Sequence, residues 1–163
     1  MKAIAYRRAT EADFVFVVQS WLDSYRTAHA AGMIAMERWY LVMEPEVRAV
    51  LARPLCTAWV AHNPGGEQGS DVYGWLALEL GEGPPLVFYV YVKHPYRRMG
   101  IAAGLLAHAG VDVTREWHYA CRTAVCAKLA LGRARWTPLT ARFPPGDRAI
   151  ITTREEQRHG EDR

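Results

Sequence analysis

Between residues 11 and 30, Phe14, Val17, Val18, Trp21, Leu22, Tyr25 and His29 recur at spacings of three and four, the period of a helix that turns one stripe to a core. Thr10 with Asp13 three positions on has the capping-box spacing that opens such a helix, and the preceding KAIAYRRA, residues 2 to 9, reads as a first strand. A second helix is predicted from near Pro45 through Val47, Val50 and Leu51, because proline is accepted in a first turn, and Pro54 ends it. The stretch AAGMIAMERWYLVM between these helices has a pattern that assigns it to no element.

Downstream the period shortens. CTAWVAH and DVYGWLALEL read as strands, joined by the turn-rich NPGGEQGS into a hairpin with a long loop. After the break GEGPP comes LVFYVYV, an unbroken apolar run expected of a strand covered on both faces and therefore central in its sheet. A turn and a helix follow it. WHYACRT is then expected as a strand, AVCAKLALG as a short helix ending at Gly132, and RARWTPLTARF with RAIITT as a final hairpin across PPGD. The order strand, helix, helix, three strands, helix, strand, helix, hairpin describes an α/β domain on a mixed sheet, with the fourth and fifth strands parallel.

Composition narrows the picture without changing it. A chain of 163 residues, 50% hydrophobic and 23% charged, fits one soluble globular domain, here placed over residues 1–152. The polar end TREEQRHGEDR, residues 153–163, is expected to fray. A net charge of +3 from scattered basic residues gives no broad footprint for nucleic acid and suits a small anion better. Three cysteines, Cys56, Cys121 and Cys126, form no Cys-x-x-Cys pair, and the six histidines are dispersed, so neither a disulfide framework nor a metal site is expected. No apolar run is long enough for a membrane span, and MKAIAYRRATEADF lacks the apolar region of a signal peptide, so a cytoplasmic setting is expected.

The chemistry concentrates in VYVKHPYRRMGIAAGLL, residues 90 to 106. A strand that turns into a helix start presents unpaired N–H groups and the positive end of the backbone dipole. Gly100 and Ala102 leave that start open, and Arg97 and Arg98 add charge beside it, which together make a cradle for phosphate. This segment resembles the acyl-CoA-binding motif of the GCN5-related N-acetyltransferases: arginine or glutamine, two residues, glycine, one residue, then glycine or alanine, directly after the fourth strand. Val92, Pro95 and Tyr96 fall near the family's strand valine, turn proline and aromatic residue, with Pro95 one place late. SWLDSYR, Ser20 to Arg26, is similar to acetyltransferase-like proteins of bacteriophages or prophages; packing along the helix stripe accounts for its Trp21, Leu22 and Tyr25 as well.

The resemblance implies a GNAT-like fold over roughly residues 2 to 152, with the fourth and fifth strands splayed. It implies that main-chain groups of Val90, Tyr91 and Val92 hold the pantetheine arm of acetyl-CoA or another acyl-CoA, and that the amides of Arg97, Arg98, Met99, Gly100, Ile101 and Ala102 hold the pyrophosphate. It implies direct transfer of an acetyl or similar group to an amine acceptor, which the chain does not identify. For the base the family's strand glutamate has no counterpart in LVFYVYV; Glu79 is the nearest candidate, with Glu82 behind it, and a solvated strand end explains either. For the acid, no tyrosine occurs from Thr123 to Arg135, leaving Tyr119 and Cys126, or solvent. Tyr89 and Tyr91 share one face, opposite Val90 and Val92. A catalytically degenerate CoA-binding or protein-binding module of the same fold stands as the alternative, ahead of a small nucleic-acid-binding protein, and the edges of the final hairpin admit a homodimer.

Overall fold

The computed structural model describes residues 3–28, 34–66, 71–121 and 133–137. Strand β1 (Ala5–Arg8) enters helix α1 (Glu11–Ala28) through a cap built largely from one carboxylate. Asp13 Oδ2 accepts from the Thr10 N–H at 2.7 Å and from its hydroxyl at 3.0 Å, so only half of the reciprocal capping box forms. The same carboxylate takes the Arg7 guanidinium through both oxygens, at 2.7 and 3.0 Å, and is fully buried. Burial opposes its ionisation, yet the bonds from Arg7 and Thr10 prevail and hold the carboxyl below the usual range.

Helix α2 (Met36–Leu51) begins nine residues before the start expected from Pro45, which lies inside it. The helix survives because the carbonyl that Pro45 cannot bond belongs to the solvent-exposed turn of Leu41. Trp39 anchors the missed first half, donating its indole N–H to the Leu22 carbonyl at 3.1 Å, and Tyr40 donates to Asp23 at 2.6 Å, a bond that pushes its phenol up to about 12. Val47 and Val50 bury the second half.

Strands β2 (Cys56–His62), β3 (Val72–Glu79), β4 (Leu86–Val92), β5 (Trp117–Tyr119) and β6 (Ala134–Trp136) continue one six-stranded sheet in the order β1-β2-β3-β4-β5-β6. The first four strands are antiparallel; β4 to β5 and β5 to β6 are parallel. The expected hairpin and the central position of LVFYVYV are observed, while the fifth strand is shorter than WHYACRT. The expected helix at AVCAKLALG, the far arm of the last hairpin and the polar tail lie outside the described residues. Helix α3 (Ile101–His108) follows β4 after a 3-10 turn at His94–Tyr96.

The sheet buries both faces. Against α1 and α2 lie Val60, Trp75, Ala77, Leu86, Phe88 and Tyr89; against α3 lie Leu76, Leu78, Val87, Val90 and Trp117. Val17, Val18, Trp21 and Leu22 of α1 are almost fully buried, worth about 1.5–3 kcal/mol each against exposure. Two polar links tie α1 to the sheet: Trp75 Nε1 donates to Ser20 Oγ at 2.8 Å, and the hydroxyls of Tyr89 and Ser24 lie 2.9 Å apart. No helix among the described residues is long and apolar enough to cross a membrane.

Candidate functional site

One extra residue in β4 shapes the site. Ala77 pairs with Tyr89 but Leu78 pairs with Val87, which leaves Phe88 as a bulge. The alternation of faces is reset there, so Phe88 and Tyr89 both face α1 and α2 whereas Val87 and Val90 face α3. Up to Val87 the strand pairs with β5: His118 N–H donates to the Pro85 carbonyl at 2.7 Å and Ala120 N–H to the Val87 carbonyl at 2.9 Å. Beyond Val87 no pairing between the two strands occurs among the described residues. The ladder between the parallel strands thus ends at Val87, the apex of the fork between them.

The main chain of β4 past the bulge can be read from its other side. Lys93 N–H donates to the Tyr73 carbonyl at 2.9 Å, so Lys93 and, two by two, Tyr91 and Tyr89 turn their N–H and C=O toward β3. Val90 and Val92 therefore turn theirs toward the fork. The Val92 carbonyl already accepts from Arg97 Nε at 3.1 Å, so that side chain folds back on the strand end. Val90 is 4% exposed, packed in the α3 cluster, and Tyr91 and Val92 lie partly open.

At the end of β4 the turn is built as an anion cradle requires. Gly100 is the N-cap of α3 with φ 77° and ψ 3°, a left-handed conformation that favours glycine, and a Cβ placed on it would meet nothing within 4 Å. The first helical bond runs from Gly104 N–H to the Gly100 carbonyl at 2.9 Å. The N–H groups of Ile101, Ala102 and Ala103 precede it and have no helical acceptor. Arg97, Arg98, Met99 and Gly100 are exposed, while Ile101 is buried and seats the helix. Arg98 is itself left-handed, with φ 67°, a conformation that costs an ordinary residue about 1–2 kcal/mol. These groups fit a diphosphate: open N–H donors, a dipole of the right sign and an exposed guanidinium.

The proposed acid and base candidates are brought to the same level of the sheet but not to one face. Glu79 pairs with Leu86, one residue below the fork apex. Its Oε2 is held by Arg53 through Nε at 2.9 Å and Nη2 at 2.8 Å, and Arg53 also lies 5.7 Å over the Phe88 ring. Tyr119 pairs with Val87 at the apex but packs with the α3 cluster. Cys126 lies outside the described residues. Sequence reasoning overlooked two residues at the fork, Cys121 and Tyr25. Cys121, just past β5, is 4% exposed and joins the cluster under α1. Tyr25 of α1 packs there too, edge-on to Tyr89 with ring centroids 6.2 Å apart. The helix stripe accounts for Tyr25 by packing and Cys121 was weighed only for disulfide or metal pairing, because nothing in the sequence brings the two residues together.

His94 is exposed in the turn, and no group of metal-binding side chains occurs among the described residues. Arg26 donates to the Ile34 carbonyl at 2.9 Å and joins the end of α1 to the approach of α2; His29 is outside the described residues.

The architecture matches the acetyltransferase fold of the GNAT class. A protein of Pyrococcus furiosus described provisionally as an acetyl transferase superposes with a TM-score of 0.58 at 12% identity, covering 99% of this chain and 95% of the other. The PaiA N-acetyltransferase of Thermoplasma acidophilum, solved with coenzyme A, aligns over 66% of this chain and 70% of its own, with TM-score 0.48 and 17% identity. A ribosomal-protein-alanine N-acetyltransferase of Brucella melitensis aligns over 91% and 87%, with TM-score 0.46 and 15% identity. The fold comparison rests on the first of these. No protein-family model matches the chain, and no curated protein matches it. The organisms named lend no support to the bacteriophage or prophage source suggested by Ser20–Arg26.

Proposed function

We propose that the protein transfers an acetyl or similar acyl group from acyl-CoA to an amine. The observation that carries this reading is the end of the β4–β5 ladder at Val87 among the described residues, followed along β4 by the open left-handed Gly100. A diphosphate would take the N–H groups of Arg98 to Ala102 and the charge of Arg98. A pantetheine amide would add to the strand edge at Val90, as an extended peptide adds to a sheet. Val92 would offer its carbonyl only once Arg97 let go. The acyl carbon would then lie near the bulge, where the acceptor approaches from the α1 and α2 side.

Transfer requires the acceptor nitrogen to be uncharged when it attacks, and a proton to reach the departing sulfur. Holding both reactants at the fork lowers the entropic part of the barrier. Glu79 would relieve the acceptor of its proton through Oε1, the oxygen that Arg53 does not hold, by way of water. Its ion pair supports a second reading, a module that binds CoA without turnover, since a carboxylate committed to Arg53 is poorly free to act. The experiment is release of free thiol from acetyl-CoA, followed with a thiol reagent across a panel of primary amines, beside calorimetric binding of acetyl-CoA. Binding with amine-dependent release supports transfer. Binding without release from any amine supports the second reading, and no binding overturns both.

A further inference from the structure

Tyr25 lies on α1 and packs on the face of the sheet that carries Tyr89 and Cys121. Its ring meets Tyr89 of β4 edge-on at 6.2 Å and Trp39 of α2 at 5.7 Å, and it packs against the cluster that contains Cys121, the residue just beyond β5. The ring thus packs beside Tyr89, in the arm that carries the bulge, and in the cluster with Cys121, just past the other arm, on the face from which an acceptor would approach. Tyr119, the tyrosine marked by sequence, packs on the far face with the α3 cluster.

We propose that Tyr25 is the catalytic residue that delivers a proton to the sulfur of the departing thiol. The inference rests on the acyl-transfer reading above. In the step, the acceptor nitrogen forms a bond to the acyl carbon and the carbon–sulfur bond breaks with its electron pair passing to sulfur. The sulfur takes the hydroxyl proton of Tyr25, and the phenolate is reprotonated from solvent. The nitrogen gives up its surplus proton to the base or to water, so charge balances over the cycle. Burial, and next the proximity of Cys121, raise the phenol above its ordinary ionisation, which keeps the proton in place at neutral pH. Tyr89 is a poorer donor, because Ser24 Oγ also approaches the Ser20 carbonyl, which leaves the Tyr89 proton committed to Ser24.

The test compares wild type with Tyr25→Phe, which keeps the ring and its packing, using acetyl-CoA and an amine that wild type acetylates. The expected result is a loss in kcat of about 100-fold, the lower range for a general acid, with the acetyl-CoA Kd, the acceptor KM and the urea midpoint each within about threefold or within error of wild type. A kcat within threefold of wild type overturns the inference, and so does a loss that appears equally in KM or in stability, which marks a packing role. The same kcat loss in Cys121→Ala but not in Tyr25→Phe moves the proton to the thiol and also overturns it. Wild type that binds acetyl-CoA but acetylates no amine fails at the earlier reading, and this inference falls with it.

Discussion

Replacing Gly100 tests the cradle in two separable ways. Any L residue there must adopt φ 77°, at a cost of about 1–2 kcal/mol to the fold, but its side chain would enter empty space rather than protein. The pair Gly100→Gln and Gly100→Glu share that strain and nearly the same bulk, so their difference isolates charge. A carboxylate about 6 Å from a phosphate charge is repelled by 332/(80 × 6), about 0.7 kcal/mol, in water, and by about 2.8 kcal/mol at the effective dielectric of a protein surface. Glutamate should therefore bind acetyl-CoA about 3- to 100-fold more weakly than glutamine, and 0.5 M salt should shrink the gap because exposed charges are screened. Titration calorimetry measures both constants, and circular dichroism confirms that both variants fold. Equal affinities in two folded variants would refute the placement of phosphate at this turn.

Other substitutions test how the cradle and its supports are held. Arg98→Gly should relieve the left-handed φ of 67° and raise the urea-derived stability by about 0.5–1 kcal/mol, yet weaken acetyl-CoA binding several-fold through loss of the guanidinium. Asp13→Asn should cost about 2–4 kcal/mol, because it leaves Arg7 beside a neutral partner in a buried cap. Since the Asp13 carboxyl is held low in the folded state, its stabilisation is present above the ordinary carboxylate range near pH 4 and is lost as pH falls through the folded value; urea midpoints should thus fall in acid more steeply for wild type than for Asp13→Asn. Gly104→Ala should cost about 1–3 kcal/mol, because its Cβ would overlap the Tyr6 ring, which is stacked on His108 at 4.2 Å; adding Tyr6→Ala should cancel most of that clash term in a double-mutant cycle.

Helix α1 was legible because its stripe, its cap residue and its burial all point the same way. Pro45 misled, since proline is as compatible with a first turn as with an interior turn whose free carbonyl meets solvent, and only the burial of Trp39 at the other end tells the two apart. Legibility of the cradle came from local chemistry: strand, arginines, glycine and helix lie within 17 residues, and each keeps its meaning without tertiary context. Arg53 and Glu79, by contrast, are 26 positions apart and meet only because the chain leaving α2 passes the C-terminal end of β3. The bulge left no trace at all. A run as uniformly apolar as LVFYVYV has no polar alternation to interrupt, so an inserted residue cannot be seen in it.

That hidden residue governs how the chemistry can be divided. Without the bulge, strict alternation from Leu86 would turn Tyr89 toward α3 and Val90 toward α1; with it, Tyr89 faces the helices and hydrogen-bonds Ser24, while the main chain of Val90 faces the fork. Ordinary alternation below the bulge leaves Tyr119 across the sheet from Glu79, since Val87 and Leu86, their partners in β4, point to opposite faces. A proton taken by Glu79 and one given by Tyr119 would thus be handled on two sides of a closed ladder. Tyr25 and Glu79 lie on one side of it, the side from which the acceptor would approach, so placing both transfers there requires no group to reach through the sheet.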